Sequence, residues 1–265
     1  MYKTILKYLI CLILVCSAFY FSKIVLFAIS FLFIYLSCKE YRNIFKNKNI
    51  VIYKIFPEIM SMIFAFFFIF NKDFLDCSFM ILLIISLFVP FGITILKNQK
   101  PYVETACNTF LLIFFVFCGL FTIKLYETQP ILTVVIYFCS ILLSDYSASI
   151  VGLKIKNRVP LAKEISPKKT TAGFFAHLIT STLIFTLAAK FMGLTLLQGT
   201  ISGFLISGTA QFGDLTISCV KRDCGVKHSS DLFGEYGGIL DRMDSFIFSA
   251  PTAYLLLTSI CQLGV

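Results

Sequence analysis

Long apolar runs separated by polar connectors set the pattern of this chain. The runs lie roughly at 4–21, 24–37, 55–70, 74–96, 103–123, 130–144, 173–190, 194–210 and 246–263. Roughly 20 apolar residues cross a bilayer as a helix, whereas membrane β-barrels show short alternating segments. The continuous runs therefore predict an all-α integral membrane protein with about nine transmembrane helices.

Composition supports this class and excludes others. Hydrophobic residues make up 58% of the 265 residues, which is too apolar for an ordinary soluble domain. The net charge of +9 could suggest nucleic acid as a partner. Cytoplasmic loops of membrane proteins collect Lys and Arg, however, and no basic soluble domain is visible, so we expect no nucleic-acid partner.

The basic residues also predict the orientation. With nine spans, the N-terminus and every second loop share one side, and that side carries all of the 23 Lys and Arg residues except Lys23, Lys72, Lys124 and Lys190. Such an excess marks the cytoplasmic side. We therefore expect a multi-pass protein of the cell (inner) membrane. Its N-terminus and two long polar loops, at 145–172 and 211–245, would be cytoplasmic.

The polar chemistry is confined to one half of the chain. Residues 1–265 form a single polytopic membrane domain by this interpretation. Residues 1–144 supply N-terminal spans with little else, and residues 145–265 form the half that carries the candidate chemistry. The ten cysteines lie mostly in apolar runs, with no spacing typical of a metal site, so we predict neither disulfides nor zinc.

One polar segment, Gly213 to Ser245, is the strongest functional signal. Its ionisable residues are Asp214, Lys221, Arg222, Asp223, Lys227, Asp231, Glu235, Asp241, Arg242 and Asp244. Ionisable groups inside or beside a bilayer are costly and usually face a cavity or pathway. This segment therefore predicts a site for a charged substrate at the membrane surface.

The carboxylates suggest a divalent cation. Asp241 and Asp244 would share one face of a helix that starts near Leu240, and Mg²⁺ binds one or two carboxylates together with substrate phosphates. The alternative is that they only complement the helix dipole. Asp214, at the end of the preceding span, makes capping alone a poorer explanation.

The basic residues fit a phosphate ligand. Lys221, Arg222 and Lys227 lie between the acids, where they could hold phosphate oxygens, although an ordinary cytoplasmic loop also carries such residues. In the other polar loop, Asp145 ends an apolar span. The run Ser166-Pro167-Lys168-Lys169-Thr170 would open the next helix, with Ser166 as its N-cap and Pro167 in its first turn. That helix start could bind an anion, or it could be a capped end with snorkelling lysines.

The two histidines differ in their setting. His177 lies in an apolar span, so we expect a buried, hydrogen-bonded residue. His228 follows Lys227 in the polar segment and is a candidate for substrate contact.

These motifs resemble the signature of the phosphatidate cytidylyltransferase (CDP-diacylglycerol synthase) family. That signature runs S-x-x-K-R-x(4)-K-D and then H-G-G-x-x-D-R-x-D. The matching positions are Ser218, Lys221, Arg222, Lys227, Gly237, Gly238, Asp241, Arg242 and Asp244. Gly213-Asp214-Leu215 is similar to the preceding G-D-L. Asp145, Ala148 and Gly152 resemble D-x-x-A-x-x-x-G, and residues 166–173 resemble S-P-K-K-T-x-x-G.

The resemblance implies an activity and a set of roles. CTP and phosphatidic acid would give CDP-diacylglycerol and pyrophosphate in phospholipid biosynthesis. Mg²⁺, with K⁺ as a second cation, and a homodimer are expected from the family. The implied roles are metal binding and catalysis by Asp214, Asp241 and Asp244, catalysis by Lys221, and substrate binding by Asp145, Ser166, Lys168, Lys169, Thr170, Ser218, Arg222, Lys227 and Arg242.

The match has departures, and alternatives stay open. His228 replaces the signature's Asp, Tyr236 replaces its His, and Gly234-Glu235 replaces the usual Pro-Gly. A membrane transporter would also bury charges, but it predicts broken spans in both halves. Another lipid-linked phosphotransferase would lack the D-R-x-D ending. A catalytically inactive member would explain His228 and Tyr236.

Overall fold

A computed structural model describes residues 23–48, 50–53, 59–60, 88, 92–93, 101–155, 158–232, 234 and 237–262. The runs predicted at 4–21, and most of those at 55–70 and 74–96, lie outside the described residues, as does Tyr236.

Helices dominate the described chain, as the sequence predicts. The elements in order are α1 (Lys23–Phe45) with a 3₁₀ turn (Lys46–Lys48), α2 (Pro101–Leu111), a π-helical stretch (Leu112–Phe117), α3 (Cys118–Thr128), α4 (Ile131–Lys154), β1 (Pro160–Ala162), β2 (Ser166–Thr170), α5 (Thr171–Ala188) with a 3₁₀ turn (Ala189–Met192), α6 (Leu196–Asp223) and α7 (Leu240–Gln262).

Membrane-spanning character is clear for three of these segments. Within the described part of the chain, Tyr102–Thr128, Ile131–Lys154 and Thr171–Met192 are long and apolar enough to cross a bilayer. The membrane class is therefore supported by the structure. The count of nine spans stays a prediction.

Each of the two long polar loops of the sequence analysis begins as a continuation of the preceding helix. Helix α4 continues through Asp145 to Lys154, and α6 continues through Asp214 to Asp223. The 28 residues of α6 measure about 42 Å, compared with about 30 Å for the hydrocarbon core of a bilayer. The prediction was wrong because it ended each helix where polar residues began. A helix satisfies its own backbone on either side of that boundary.

The predicted helix start at Ser166 is also wrong. Residues Ser166–Thr170 form strand β2, which pairs antiparallel with β1. Proline cannot donate to a ladder and biases its predecessor to extended backbone, so Pro167 suits an edge strand. Thr170 is the actual N-cap of α5, and its hydroxyl accepts a hydrogen bond from Gly173 N at 3.0 Å.

Helix α7 joins two apolar cores. On one side, Leu240 and Ile247 pack among buried side chains of α1, the π-helical stretch and α3. On the other, Phe246, Ala253 and Leu257 pack among those of α4, α5 and α6. The first two turns of α7 are therefore held from both directions, and they carry the predicted acids Asp241 and Asp244.

Small and polar residues bring α5 and α6 together. A Cβ at Gly203 would lie 2.8 Å from Thr182 Cα, so the backbones are in near contact. The Thr186 and Thr200 hydroxyls are 2.9 Å apart across the same crossing. Membrane helices associate through such close packing and interhelical hydrogen bonds, because lipid provides no hydrophobic drive between helices.

We expect Gly203→Ala to destabilise the bundle by about 1–3 kcal/mol, because the added methyl overfills the crossing. Gly208→Ala on the same helix is the matched control, since a Cβ there meets nothing within 4 Å. Thermal unfolding in detergent should show a lower midpoint for Gly203→Ala and an unchanged or higher one for Gly208→Ala. Equal midpoints would contradict the close crossing.

Candidate active site

Asp241 is the best-anchored acid of the site. Its carboxylate forms an ion pair with Lys221 of α6, and both side chains are only 9% exposed. It also accepts hydrogen bonds from Ser229 N at 2.9 Å, Ser229 Oγ at 3.0 Å and Gly238 N at 3.0 Å. Burial acts to raise the pKa of Asp241, but the Lys221 charge and these hydrogen bonds outweigh it and hold the pKa below its ordinary value.

The glycine pair before α7 makes room for this carboxylate. Gly237 has φ +80°, a left-handed conformation that suits glycine, and a Cβ there would collide with Asp241. His228 Nδ1 lies 4.0 Å from the same carboxylate. His228 thus borders the acid cluster, although its role in substrate contact stays a prediction.

Asp214 connects α6 to the β-hairpin. Its carboxylate lies 2.5 Å from Lys169 Nζ of β2, and both side chains are about one-third exposed. Ser218, one turn further along α6, places its Oγ 3.5 Å from Asp214 Oδ1. The structure therefore brings together three of the predicted residues from two separate motifs.

Asp244 is the most deeply buried acid of the cluster. It is 4% exposed, and its Oδ1 accepts a hydrogen bond from Ser245 N at 2.8 Å. Burial and the nearby charge of Asp214 raise its pKa well above the ordinary value, although Lys221 and Lys169 oppose the shift. A cation bound near two such carboxylates would relieve their repulsion.

Asp241 differs from Asp214 and Asp244 in its partners. Asp214 and Asp244 interact electrostatically, whereas Asp241 faces Lys221 and the donors at 229 and 238. Among the described residues, no three Asp, Glu, His or Cys side chains converge as a metal site. Two carboxylates, completed by substrate phosphates, would still fit the oxygen ligation that Mg²⁺ prefers.

Asp145 borders a buried network between α4, α5 and α6. His177 Nε2 lies 3.2 Å from Asp145 Oδ1, but without the alignment of a hydrogen bond. His177 Nδ1 lies 2.6 Å from Ser207 Oγ. The expectation of a buried, hydrogen-bonded His177 is confirmed, and Asp145 is linked through it to α6.

Small motif residues bring α4 to the start of α5. A Cβ at Gly173 would lie 2.9 Å from the carbonyl oxygen of Ala148, and one at Gly152 would lie 3.1 Å from Thr170 Oγ1. The spacing of these residues therefore serves helix packing. The buried Thr170 acts here as a cap.

The other predicted phosphate-binding residues are distributed around this cluster. Arg222 donates to the backbone oxygens of Ile165 at 3.1 Å and Val226 at 3.0 Å, so it fastens the hairpin to the end of α6. Lys168 and Lys227 are exposed, while Ser166 and Arg242 are partly buried. These positions leave both lysines accessible to a soluble anion.

Sequence reasoning missed Glu40, on α1. This acid is 7% exposed. It accepts four hydrogen bonds, from Ser229 Oγ (2.8 Å), Ser230 Oγ (2.7 Å), Ile239 N (3.0 Å) and Leu240 N (2.9 Å). The only available signal was an acid at the end of an apolar run, between Lys39 and Arg42. No local motif identifies it.

Fold and site together define a membrane-bound helical protein with a polar cluster built from α1, α6, α7 and the hairpin. Residues 3–260 match the sequence profile described as the Cytidylyltransferase family, and the chain belongs to that family.

Several similar proteins carry a more specific name. The phosphatidate cytidylyltransferase of Staphylococcus saprophyticus is 33% identical over 183 residues, which is 67% of this chain and 69% of that protein. The enzyme of that name from Aquifex aeolicus is 34% identical over 152 residues, covering 57% of this chain and 56% of its own. The Arabidopsis thaliana protein named phosphatidate cytidylyltransferase 5, chloroplastic, is 43% identical over 129 residues, covering 48% and 32%. The matched region thus covers about a third of the Arabidopsis protein and just over half of the Aquifex protein.

We expect Lys221→Met to destabilise the protein by about 3–5 kcal/mol at neutral pH, because it leaves the buried Asp241 carboxylate without its partner. The deficit should shrink as the pH falls through the low pKa of wild-type Asp241, since a protonated Asp241 no longer needs the lysine. Thermal unfolding at several pH values measures both effects.

Lys48→Met is the matched control for this experiment. Lys48 pairs with Asp223 at 2.7 Å, but the two side chains are 34% and 66% exposed, so we expect a cost below about 1 kcal/mol. Similar losses for the two variants would show that the Lys221–Asp241 pair is not effectively buried.

Proposed function

We propose that this protein is a phosphatidate cytidylyltransferase, which converts CTP and phosphatidic acid into CDP-diacylglycerol and pyrophosphate. The observation that carries the proposal is the charge cluster of Lys169, Asp214, Lys221, Asp241 and Asp244, formed where α6, α7 and the hairpin meet in a member of the cytidylyltransferase family. One substrate and the product are lipids, while CTP is soluble. A polar cluster beside membrane-spanning helices can receive both.

The reaction joins two phosphates. An oxygen of the lipid phosphate forms a bond to the α-phosphorus of CTP, and the bond from that phosphorus to the α,β-bridging oxygen breaks, so pyrophosphate leaves. A phosphate monoester is largely ionised near neutral pH, with a second pKa of about 6, so no general base is required. The protein's task is to position the phosphates and neutralise their charge.

The proposed roles follow the positions of the side chains. Lys169 and Lys221 each form an ion pair with an acid in this structure. We propose that their ammonium groups also contact substrate phosphates when these bind. Lys168 and Lys227 are exposed and can contact the triphosphate. We propose that the walls of this site include Arg222, Arg242, Ser166 and Ser218. Asp145 and the capping Thr170 would lie at its α4–α5 side.

Asp214 and Asp244 are the residues that would hold Mg²⁺. Their donor chemistry fits, and the raised pKa of Asp244 reflects first its burial and then its repulsion by Asp214, which a bound cation would offset. Bound Mg²⁺ would neutralise charge on the triphosphate and on the leaving pyrophosphate. A role for Asp241 as a direct ligand, K⁺ as a second cation and a homodimer remain family-based predictions.

Purified protein in detergent–lipid micelles should release pyrophosphate from CTP only when phosphatidic acid and Mg²⁺ are both present. We expect Asp244→Asn and Asp241→Asn to lower this turnover by about 100-fold or more, because each removes a negative charge from the centre. Asp223 is the last residue of α6, is exposed and pairs with Lys48 rather than with the cluster, so the Asp223→Asn variant should retain nearly full turnover. Wild-type turnover by folded Asp244→Asn would contradict the proposed centre.

We also propose that the site faces the cytoplasm, in agreement with the charge asymmetry of the loops. Lys163 in the hairpin turn and Lys190 after α5 are both exposed and lie at opposite ends of one apolar helix. In a cysteine-free background, an impermeant maleimide should label Lys190→Cys in intact cells and Lys163→Cys only after permeabilisation. The reverse pattern would overturn the orientation.

A further inference from the structure

Glu40 lies on the buried stripe of α1. Ser37, Glu40, Tyr41 and Ile44 recur at helical spacing and are all buried, so the carboxylate points into the protein. A buried carboxylate is costly unless several donors satisfy it. Within the described part of the chain, four donors satisfy Glu40, and they belong to residues between α6 and α7 or to the first residue of α7.

The four hydrogen bonds connect two separate pieces of chain. Glu40 Oε2 accepts from Ser229 Oγ and Leu240 N, while Oε1 accepts from Ser230 Oγ and Ile239 N. Each carboxylate oxygen therefore bridges the piece at 229–230 to the piece at 239–240. We call this arrangement the Glu40 clamp.

The clamp adjoins the donors that hold Asp241. The Ser229 hydroxyl lies 2.8 Å from Glu40 Oε2 and 3.0 Å from Asp241 Oδ2, so the two acids share its single proton. Gly238, whose amide donates to Asp241, directly precedes the clamped Ile239. A Cβ at Gly238 would collide with both the Glu40 carboxylate and the Ser229 hydroxyl. Glycine at 238 is therefore required by the clamp, and any shift of 239–240 would also move the Asp241 donors.

We propose that Glu40 is a positioning residue of the active site, through which the N-terminal half of the chain fixes the start of α7 and hence the direction of Asp241. The effect on turnover rests on the proposed function. The ordering of residues 229–230 and 239–240 does not, and it can be measured separately.

The principal variant is Glu40→Gln, with Glu104→Gln as its matched control. Gln keeps the size of Glu but offers one acceptor oxygen and sets an NH₂ group against donors. Glu104 is equally buried in the N-terminal half, at 3% exposure, but its carboxylate accepts from Val51 N at 3.4 Å, away from the site. Both variants remove one buried negative charge.

Hydrogen–deuterium exchange in micelles measures directly how well the clamp protects the backbone amides of Ile239 and Leu240. We expect Glu40→Gln to speed exchange at Ile239 and Leu240 by about tenfold or more, with Glu104→Gln within about twofold of wild type. Equal exchange at these amides in the two variants would overturn the proposal. If wild-type protein forms no CDP-diacylglycerol, the proposed function fails, while exchange still decides on the clamp.

Turnover separates positioning from general stability. We expect kcat for Glu40→Gln to fall by about tenfold or more, with KM for CTP changed less than threefold, because small misplacements of a catalytic group are costly. Glu40→Asp keeps both acceptor oxygens and should recover part of kcat. A kcat loss in Glu104→Gln as large as that in Glu40→Gln would refute a specific role.

A double-mutant cycle tests whether Ser230 acts through Glu40. Ser230→Ala removes one arm of the clamp without touching Asp241, so it should lower kcat in the wild-type background and add little to Glu40→Gln. Independent, multiplying losses would show that the two residues do not work together and would contradict the clamp.

Discussion

Buried carboxylates need compensation, and this requirement shapes the polar end of the protein. Unpaired, an ionised acid in such an apolar chain would cost several kcal/mol. Asp241 is compensated by Lys221 and by donors at 229 and 238, and Glu40 by donors at 229, 230, 239 and 240. The turn before α7 therefore follows the positions of two acids. The glycine pair at 237–238 fits the remaining space.

Asp244 differs because its compensation is incomplete. It is buried near Asp214, which lies on α6 and pairs with Lys169. Acids held together against their repulsion are typical of functional sites. The first two turns of α7 thus carry one satisfied acid, Asp241, and one, Asp244, whose carboxylate a bound cation would stabilise. Their different environments support the different roles proposed for them, in which Asp241 orders the site and Asp244 would hold the cation.

Much of this arrangement could be predicted from the sequence, and the exceptions have physical causes. Asp214, Lys221 and Asp241 were identifiable because ionisable residues are rare in apolar surroundings. The lengths of α4 and α6 were missed because polarity was taken to end a helix, and Thr170 was missed as the cap because Ser166 and Pro167 imitate a helix start. Glu40 was missed because its partners lie about 190 to 200 residues away in the sequence. No periodicity or local motif reports such a contact.

The measurement that tests the central claim most directly follows two positions of label in CTP. With phosphatidic acid and Mg²⁺ present, the account predicts that label from the α-phosphate enters the lipid fraction and that label from the γ-phosphate leaves as pyrophosphate. This outcome is specific to cytidylyl transfer. Entry of the γ-phosphate label into lipid would instead show a lipid-linked phosphotransferase that uses CTP as a phosphate donor. That result would contradict the proposed reaction while leaving the charge cluster and its membrane setting in place.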